Sequence, residues 1–271
     1  MKKSQKVVVV TGCSSGMGRA TAELLSKSNF IVYAGSRTPE KLQTIASKTL
    51  IPTFLDVTNP KIVKEFFATL DRVDVVVNNA GYGLVSTVES VTEEEMFAQF
   101  NVNLFGVLRV CKGAIPIMRR QNSGMIINIS SFLGRIGLPL LTFYNASKYA
   151  IEGVTDSLRY ELEPFNIRVC SIMPGFFNTN FARDNLVVNS EILNKNSPYS
   201  NLVNNLAPAI IEQINRGNNP KEVANLILKL IENSSNIAHI SAGDKSKKFI
   251  PMRKELSDEE FEERVKRYYK L

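Results

Sequence analysis

Apolar residues along this chain come in short, unbroken runs separated by longer stretches of helical periodicity. The runs at Lys6–Val10, Phe30–Ala34, Ile51–Leu55, Val73–Val77, Met125–Ile129, Arg168–Met173 and Ile237–Ser241 are rich in Val and Ile. They do not alternate with polar residues, which is how strands covered on both faces of a parallel sheet read. Thr38-Pro39, Asn59-Pro60 and Asn219-Pro220 each set a capping side chain before a proline suited to the first helical position. Thr92-x-x-Glu95 and Ser257-x-x-Glu260 read as capping boxes. Long helices are expected over about Thr92–Arg120 and Thr142–Pro164.

Strands alternating with helices predict an α/β fold: a doubly wound, seven-stranded parallel sheet of Rossmann type with helices on both faces. No repeat or Gly/Ser linker divides the chain, so residues 1–243 read as one nucleotide-binding domain and 244–271 as a charged C-terminal helical extension. Within the domain, the Asn-rich, apolar-studded segment 176–219 is long enough to be a lid over a site.

Composition narrows the class. The chain has 271 residues, 44% hydrophobic and 22% charged, as in ordinary globular proteins. Its 33 basic and 26 acidic side chains leave a net charge of +7, which suits an anionic cofactor. There is no basic block interleaved with aromatics, so no nucleic-acid partner is expected. Cys13, Cys111 and Cys170 are widely spaced, which argues against a disulfide framework or a zinc site and fits a reducing compartment. Met1-Lys2-Lys3 opens like a signal peptide, but the apolar run Val7–Val10 stops at Thr11-Gly12. No run approaches the length of a membrane span. The expectation is a cytoplasmic protein without a transmembrane segment or metal.

The first run leads into Thr11-Gly12-Cys13-Ser14-Ser15-Gly16-Met17-Gly18 and then a helical stretch. Glycines at a strand-to-helix turn let backbone N–H groups approach a pyrophosphate at the positive helix end, although a plain tight turn has the same composition. The second run ends at Ser36-Arg37, where an acidic residue would meet a free ribose 2′-hydroxyl. A guanidinium suits a 2′-phosphate instead, which points to NADP(H) over NAD(H); the alternative is an arginine in solvent.

Tyr144 and Lys148 stand four residues apart, on one face of a helix. A phenol beside an ammonium is an acid/base pair, and the lysine charge is expected to pull the phenol down from its ordinary value near 10. The spacing alone does not separate that device from a solvated helix face. His239 reads as a core or surface histidine.

Taken together, these motifs resemble the short-chain dehydrogenase/reductase family over nearly the whole chain. Its glycine motif is matched by Thr11, Gly12, Gly16 and Gly18, and its N-N-A-G by Asn78-Asn79-Ala80-Gly81. Asp56, in Leu55-Asp56-Val57, matches the Asp associated with the adenine ring. Asn103 lies in an N-x-x-G pattern, and Ser131 stands at the family's usual 13 residues before the tyrosine. Pro174-Gly175 with Thr179 resembles a contact to the nicotinamide carboxamide.

The resemblance implies a catalytic tetrad of Asn103, Ser131, Tyr144 and Lys148. It implies cofactor contacts from Gly12, Ser14, Ser15, Gly16, Met17, Gly18, Ser36, Arg37, Asp56, Val57, Asn79, Ala80, Gly81, Tyr144, Lys148, Pro174, Gly175 and Thr179. The implied reaction is hydride transfer between NADP(H) and a carbonyl or secondary alcohol. Tyr144 would serve as acid/base, Ser131 would orient the substrate oxygen, and Lys148 would bind the nicotinamide ribose. Asn103 would open its helix to hold a water. Segments Tyr82–Ser90, Phe132–Leu141 and Phe176–Leu206 carry many apolar side chains. These either line a pocket for a lipid-, steroid- or aromatic-like substrate or form a small core of their own. Arg135 and Arg183 are candidates for an anionic substrate group. A homodimer or homotetramer through the two long helices also follows from the resemblance. A catalytically silent cofactor-binding regulator and an epimerase or isomerase remain as alternatives.

Overall fold

The computed structural model describes residues 5–179, 181, 185–233, 236–269 and 271. Arg183, one of the two candidates for an anionic group, lies outside them. The expected sheet is present. Strands β1 (Val7–Thr11), β2 (Ile31–Ser36), β3 (Leu50–Phe54), β4 (Val75–Asn78), β6 (Gly124–Ile129), β7 (Ile167–Pro174) and β9 (His239–Ala242) pair in the order β3-β2-β1-β4-β6-β7-β9. Every pairing is parallel. The central strands explain the unbroken apolar runs, since Val8, Val9 and Val10 are all fully buried between two layers of helices.

Val8 and Val10 face a core shared with helix α1 (Gly16–Lys27) and the helix Lys221–Glu232. Val9 faces the other core, built with α2 (Pro60–Ala68), α4 (Val107–Gln121) and α5 (Thr142–Leu162). The strand order reverses between β1 and β4, and open sheets bind ligands at the carboxyl ends beside such a reversal.

Several helix signals act as predicted. Asn59 caps α2 by accepting from the Lys61 and Ile62 N–H groups. Thr92 and Glu95 form a reciprocal capping box on α3 (Glu93–Phe100), and Ser257 and Glu260 exchange the same pair of bonds. Three expectations need correction. Pro39–Ile45 winds as a 3₁₀ helix without a side-chain cap from Thr38, whose N–H instead donates to Ser36 Oγ. Pro220 is the cap of its helix rather than its first residue, although Asn219 still accepts from the Lys221 N–H. The helix expected over Thr92–Arg120 is interrupted: α3 and α4 are joined by a π turn at Asn101–Gly106.

The lid segment is partly ordered by pairing. Short strands β5 (Gly83–Val85) and β8 (Leu186–Val188) form a parallel ribbon, and the helix Ser200–Asn215 follows. The charged tail forms helices Gly243–Glu255 and Asp258–Tyr269. Phe249, Phe261, Val265 and Tyr269 sink into a third core together with Phe132, Leu138, Ile192 and Leu206. That core takes up much of the apolar set. Phe132, Leu133, Ile136, Leu138, Leu140, Leu141, Phe176 and Ile192 are packing residues, each at most 8% exposed. Among the described residues, no helix is long and apolar enough to cross a membrane.

Candidate active site

The glycine turn is tied to the end of β4 by side chains. Asn79 Nδ2 donates to the carbonyls of Thr11 (2.9 Å) and Gly12 (3.1 Å). Thr11 Oγ1 accepts from the N–H groups of Asn79 and Ala80, both at 3.0 Å. This closure demands glycine at two positions. Gly12 adopts φ +71°, and a Cβ there would fall 2.8 Å from Ala80 Cα. A Cβ on Gly18 would fall 2.4 Å from both Asn79 Nδ2 and the Gly12 carbonyl oxygen. Ser15 starts α1 without a side-chain cap bond, and the first turn carries no acidic residue. Its leading N–H groups are therefore left to an external anion, so the turn fits a pyrophosphate.

Ser14, Ser15 and Met17 are half-buried along the glycine turn. Thr179 Cβ is 3.4 Å from where a Gly16 side chain would stand, which places the β7 exit against the turn. Ser36 is buried and accepts from the Thr38 N–H, whereas Arg37 is exposed at the end of β2 with no partner among the described residues. Asp56 Oδ1 accepts from the Thr58 N–H (2.9 Å) and hydroxyl (2.7 Å). Val57 is buried, with its side chain 2.8 Å from where a Cβ on Gly106 would fall. Gly175, one residue beyond the end of β7 at Pro174, presents its bare face to Lys245 and Ser246 of the helix Gly243–Glu255, not to the turn.

The four candidate catalytic side chains converge from three elements. Asn103 sits within the π turn, 1% exposed. Its Oδ1 accepts from the Tyr82 N–H (3.0 Å), and its Nδ2 donates to the Tyr82 carbonyl (2.9 Å) and to Ser147 Oγ (3.1 Å). The extra residue of a π turn breaks the regular ladder and marks functional positions in helices. Lys148 Nζ donates to the Ile129 carbonyl at the end of β6 (2.9 Å). A Cβ on Gly81 would stand 3.2 Å from Asn103 Oδ1 and 3.7 Å from Lys148 Nζ, so both polar groups border one spot. Lys148 Nζ lies 5.7 Å from the Tyr144 ring centroid.

Electrostatics correct one expectation. Burial pushes the Tyr144 phenol up to about 12, with the Ser131 hydroxyl pulling the other way. The phenol is not brought below its ordinary value, because desolvation is the larger effect. Burial also brings Lys148 down to about 8, opposed by the charge of Glu152. At neutral pH the phenol therefore keeps its proton, and Lys148 lies nearer its own titration.

Sequence reasoning missed several supports. Gln99, one turn before Asn103, is fully buried. It accepts from the Leu84 N–H (2.7 Å) and donates to the Tyr82 carbonyl (2.8 Å). Ser147, inside the Tyr-x-x-x-Lys span, holds Asn103. Their signal was polar residues at helical spacing from the candidates. His239 joins the buried Glu152, a contact between distant segments with no local signal.

Comparison with known proteins agrees with this architecture. The family model described as short chain dehydrogenase matches residues 6–187. A 3-ketodihydrosphingosine reductase of Bacteroides thetaiotaomicron is 38% identical over 230 residues, 83% of each chain. A short-chain dehydrogenase structure from Streptomyces avermitilis is 30% identical, with a TM-score of 0.85 over 98% of each chain. Solved structures at 25% identity include cofactor complexes. One is an alcohol dehydrogenase of Thermococcus sibiricus complexed with 5-hydroxy-NADP, with a TM-score of 0.71 over 88% of this chain and 96% of that one. Another is a Burkholderia phymatum short chain dehydrogenase/reductase in complex with NAD, with a TM-score of 0.73 over 89% and 90%. The chain belongs to the short-chain dehydrogenase/reductase family. It is an NAD(P)-binding oxidoreductase acting on CH–OH and C=O groups.

Proposed function

We propose that this oxidoreductase reduces an apolar ketone with NADPH, with Tyr144 as proton donor. The observation that carries the reading is the half-buried Tyr144 ring 5.7 Å from the Lys148 ammonium, with the Ser131 hydroxyl opposing the desolvation that keeps the phenol neutral. When bound, the nicotinamide supplies the hydride. Tyr144 Oη gives its proton to the developing alkoxide, and the Ser131 hydroxyl donates to the same oxygen as charge builds. Lys148 keeps a positive charge near both and binds the nicotinamide ribose. Asn103, by opening its helix, leaves room for a water next to Lys148.

Arg37 supports the choice of NADPH. It is an exposed guanidinium without a partner among the described residues, at the strand end where such folds meet an adenosine ribose. The remaining expected contacts, among them Asp56 to adenine and Gly16 to pyrophosphate, belong to the same reading. Phe181 supports an apolar substrate: it packs edge-on to Tyr144 at 6.3 Å and borders Gly83 together with Leu186. The relative named for 3-ketodihydrosphingosine makes a long-chain ketone the first substrate to try. We further read residues 1–243 as one domain and the chain as a homo-oligomer through α4 and α5, which expose Phe105, Leu108, Tyr149 and Tyr160 on and beside them.

The test is a screen of NADPH oxidation across long-chain ketones, steroids and aromatic carbonyl compounds. Turnover of at least one class supports the reading, and turnover of none contradicts it.

A further inference from the structure

A second set of charged groups lies one turn beyond the candidate active site. Tyr144, Lys148, Glu152 and Asp156 follow one another at spacings of four along α5 and share one face of it. Glu152 is 3% exposed, a rare place for a carboxylate unless it is paired. Its Oε2 lies 3.1 Å from Arg135 Nη2 and 2.8 Å from His239 Nδ1. The other ring nitrogen of His239 meets Asp156 Oδ1 at 2.7 Å, and Ser171 Oγ stands 2.9 Å from Nδ1. Ser130, the neighbour of Ser131, donates to the Lys148 carbonyl at 3.4 Å. Gly134 lets these elements close up: a Cβ there would fall 2.8 Å from Ser130 Oγ, 2.9 Å from the Lys148 carbonyl oxygen and 3.2 Å from Glu152 Cγ.

Glu152 thus joins the helix of Tyr144 and Lys148 to the loop after β6 through Arg135 and to the edge strand β9 through His239, which in turn meets Ser171 of β7. Buried charges one turn apart act on each other more strongly than in water. Resting on the roles given to Tyr144 and Lys148 above, we propose that Glu152 is a positioning residue for Lys148. Anchored by Arg135 and His239, its carboxylate keeps the Lys148 ammonium charged and holds that face of α5 against the Ser131 strand. His239, by sharing the carboxylate, sets how much of its charge Lys148 feels.

The surroundings of His239 are consistent with this role. Glu152 and Asp156 face it from α5, and Arg135 from the loop after the 3₁₀ turn Phe132–Gly134. Lys254 and Glu255 of the extension line, with His239 and Arg135, a cavity of about 360 Å³ that opens the imidazole to solvent protons. The Glu152 carboxylate, accepting at 2.8 Å from the ring, raises His239 above its ordinary value. Burial pushes Glu152 up, but polar contacts, that with His239 the largest, outweigh it and hold the carboxyl low. Burial lowers Lys148, and Glu152 opposes that lowering.

The test follows the two titrations by NMR on lysine-labelled protein, with Lys148→Met assigning the lysine signal. His239, the one histidine of the chain, needs no assignment. In Glu152→Gln, His239 should titrate lower and Lys148 should move down by about one pH unit. A Lys148 titration unchanged from wild type while His239 moves overturns the proposal. Should Glu152→Gln not fold, His239→Gln replaces it: the carboxylate, shared less, should move Lys148 up, and an unchanged or lowered Lys148 overturns the proposal. Neither readout needs turnover. A wild type that oxidises no NADPH would sink the ketone-reductase reading and leave these titrations to decide this one.

Discussion

Lys148 Nζ and the Tyr144 ring stand 5.7 Å apart on adjacent turns of α5, the ammonium held by the Ile129 carbonyl at 2.9 Å. The pair carries two opposite perturbations with one cause. Burial drives the phenol up to about 12 and the amine down to about 8, so each is pushed towards its neutral form.

The lysine makes stability depend on pH. Between about pH 8 and 10 the unfolded lysine holds its proton while the buried one releases it. The unfolded state therefore binds more protons, and stability rises with pH across that window. Relative to Lys148→Met, the wild type should gain about 2 kcal/mol in unfolding free energy from pH 8 to 10. Denaturant unfolding at the two pH values checks this; a constant difference between the proteins would count against a depressed lysine.

The glycine turn should tolerate no side chain at its third glycine. Gly18→Ala puts a methyl group 2.4 Å from both Asn79 Nδ2 and the Gly12 carbonyl oxygen, neither free to move without breaking the tie to β4. We expect a loss of about 1–3 kcal/mol in stability, of the size overpacking produces, and weaker cofactor binding. Thermal unfolding with and without NADPH measures both. Gly153→Ala, with open space around it, is the matching control and should be near neutral.

Arg37 should decide between the two nicotinamide cofactors. Arg37→Ala should lower kcat/KM for NADPH by roughly tenfold or more, the weight of a charge-assisted contact, and leave NADH nearly unaffected. Equal loss with both cofactors would assign the 2′-phosphate to another group.

Much of this architecture was legible in the order of residues. The seven strands lie within two residues of the runs that predicted them, because burial on both faces writes an unbroken apolar signal. Ribbon β5–β8 escaped, since three-residue strands leave no periodicity to read. The opening of the helix at Asn103 followed only from the family resemblance, since Asn101–Gly106 contains no proline to announce a π turn. The direction of the Tyr144 shift was misjudged for a different reason. The Tyr-x-x-x-Lys spacing shows the neighbouring charge, but the larger effect, desolvation, depends on distant segments that only the fold brings in. His239 was bland in sequence on the same account: its partners Glu152 and Asp156 lie 87 and 83 residues away.

The central claim is that Tyr144 hands over the proton, and replacing one oxygen atom tests it. NADPH oxidation with an accepted ketone should be measured for wild type and Tyr144→Phe, with NADPH affinity followed in parallel by nicotinamide fluorescence. The account predicts a kcat lower by about 10²–10⁴-fold, with affinity for NADPH little changed. A Tyr144→Phe enzyme that turns over at the wild-type rate would contradict it.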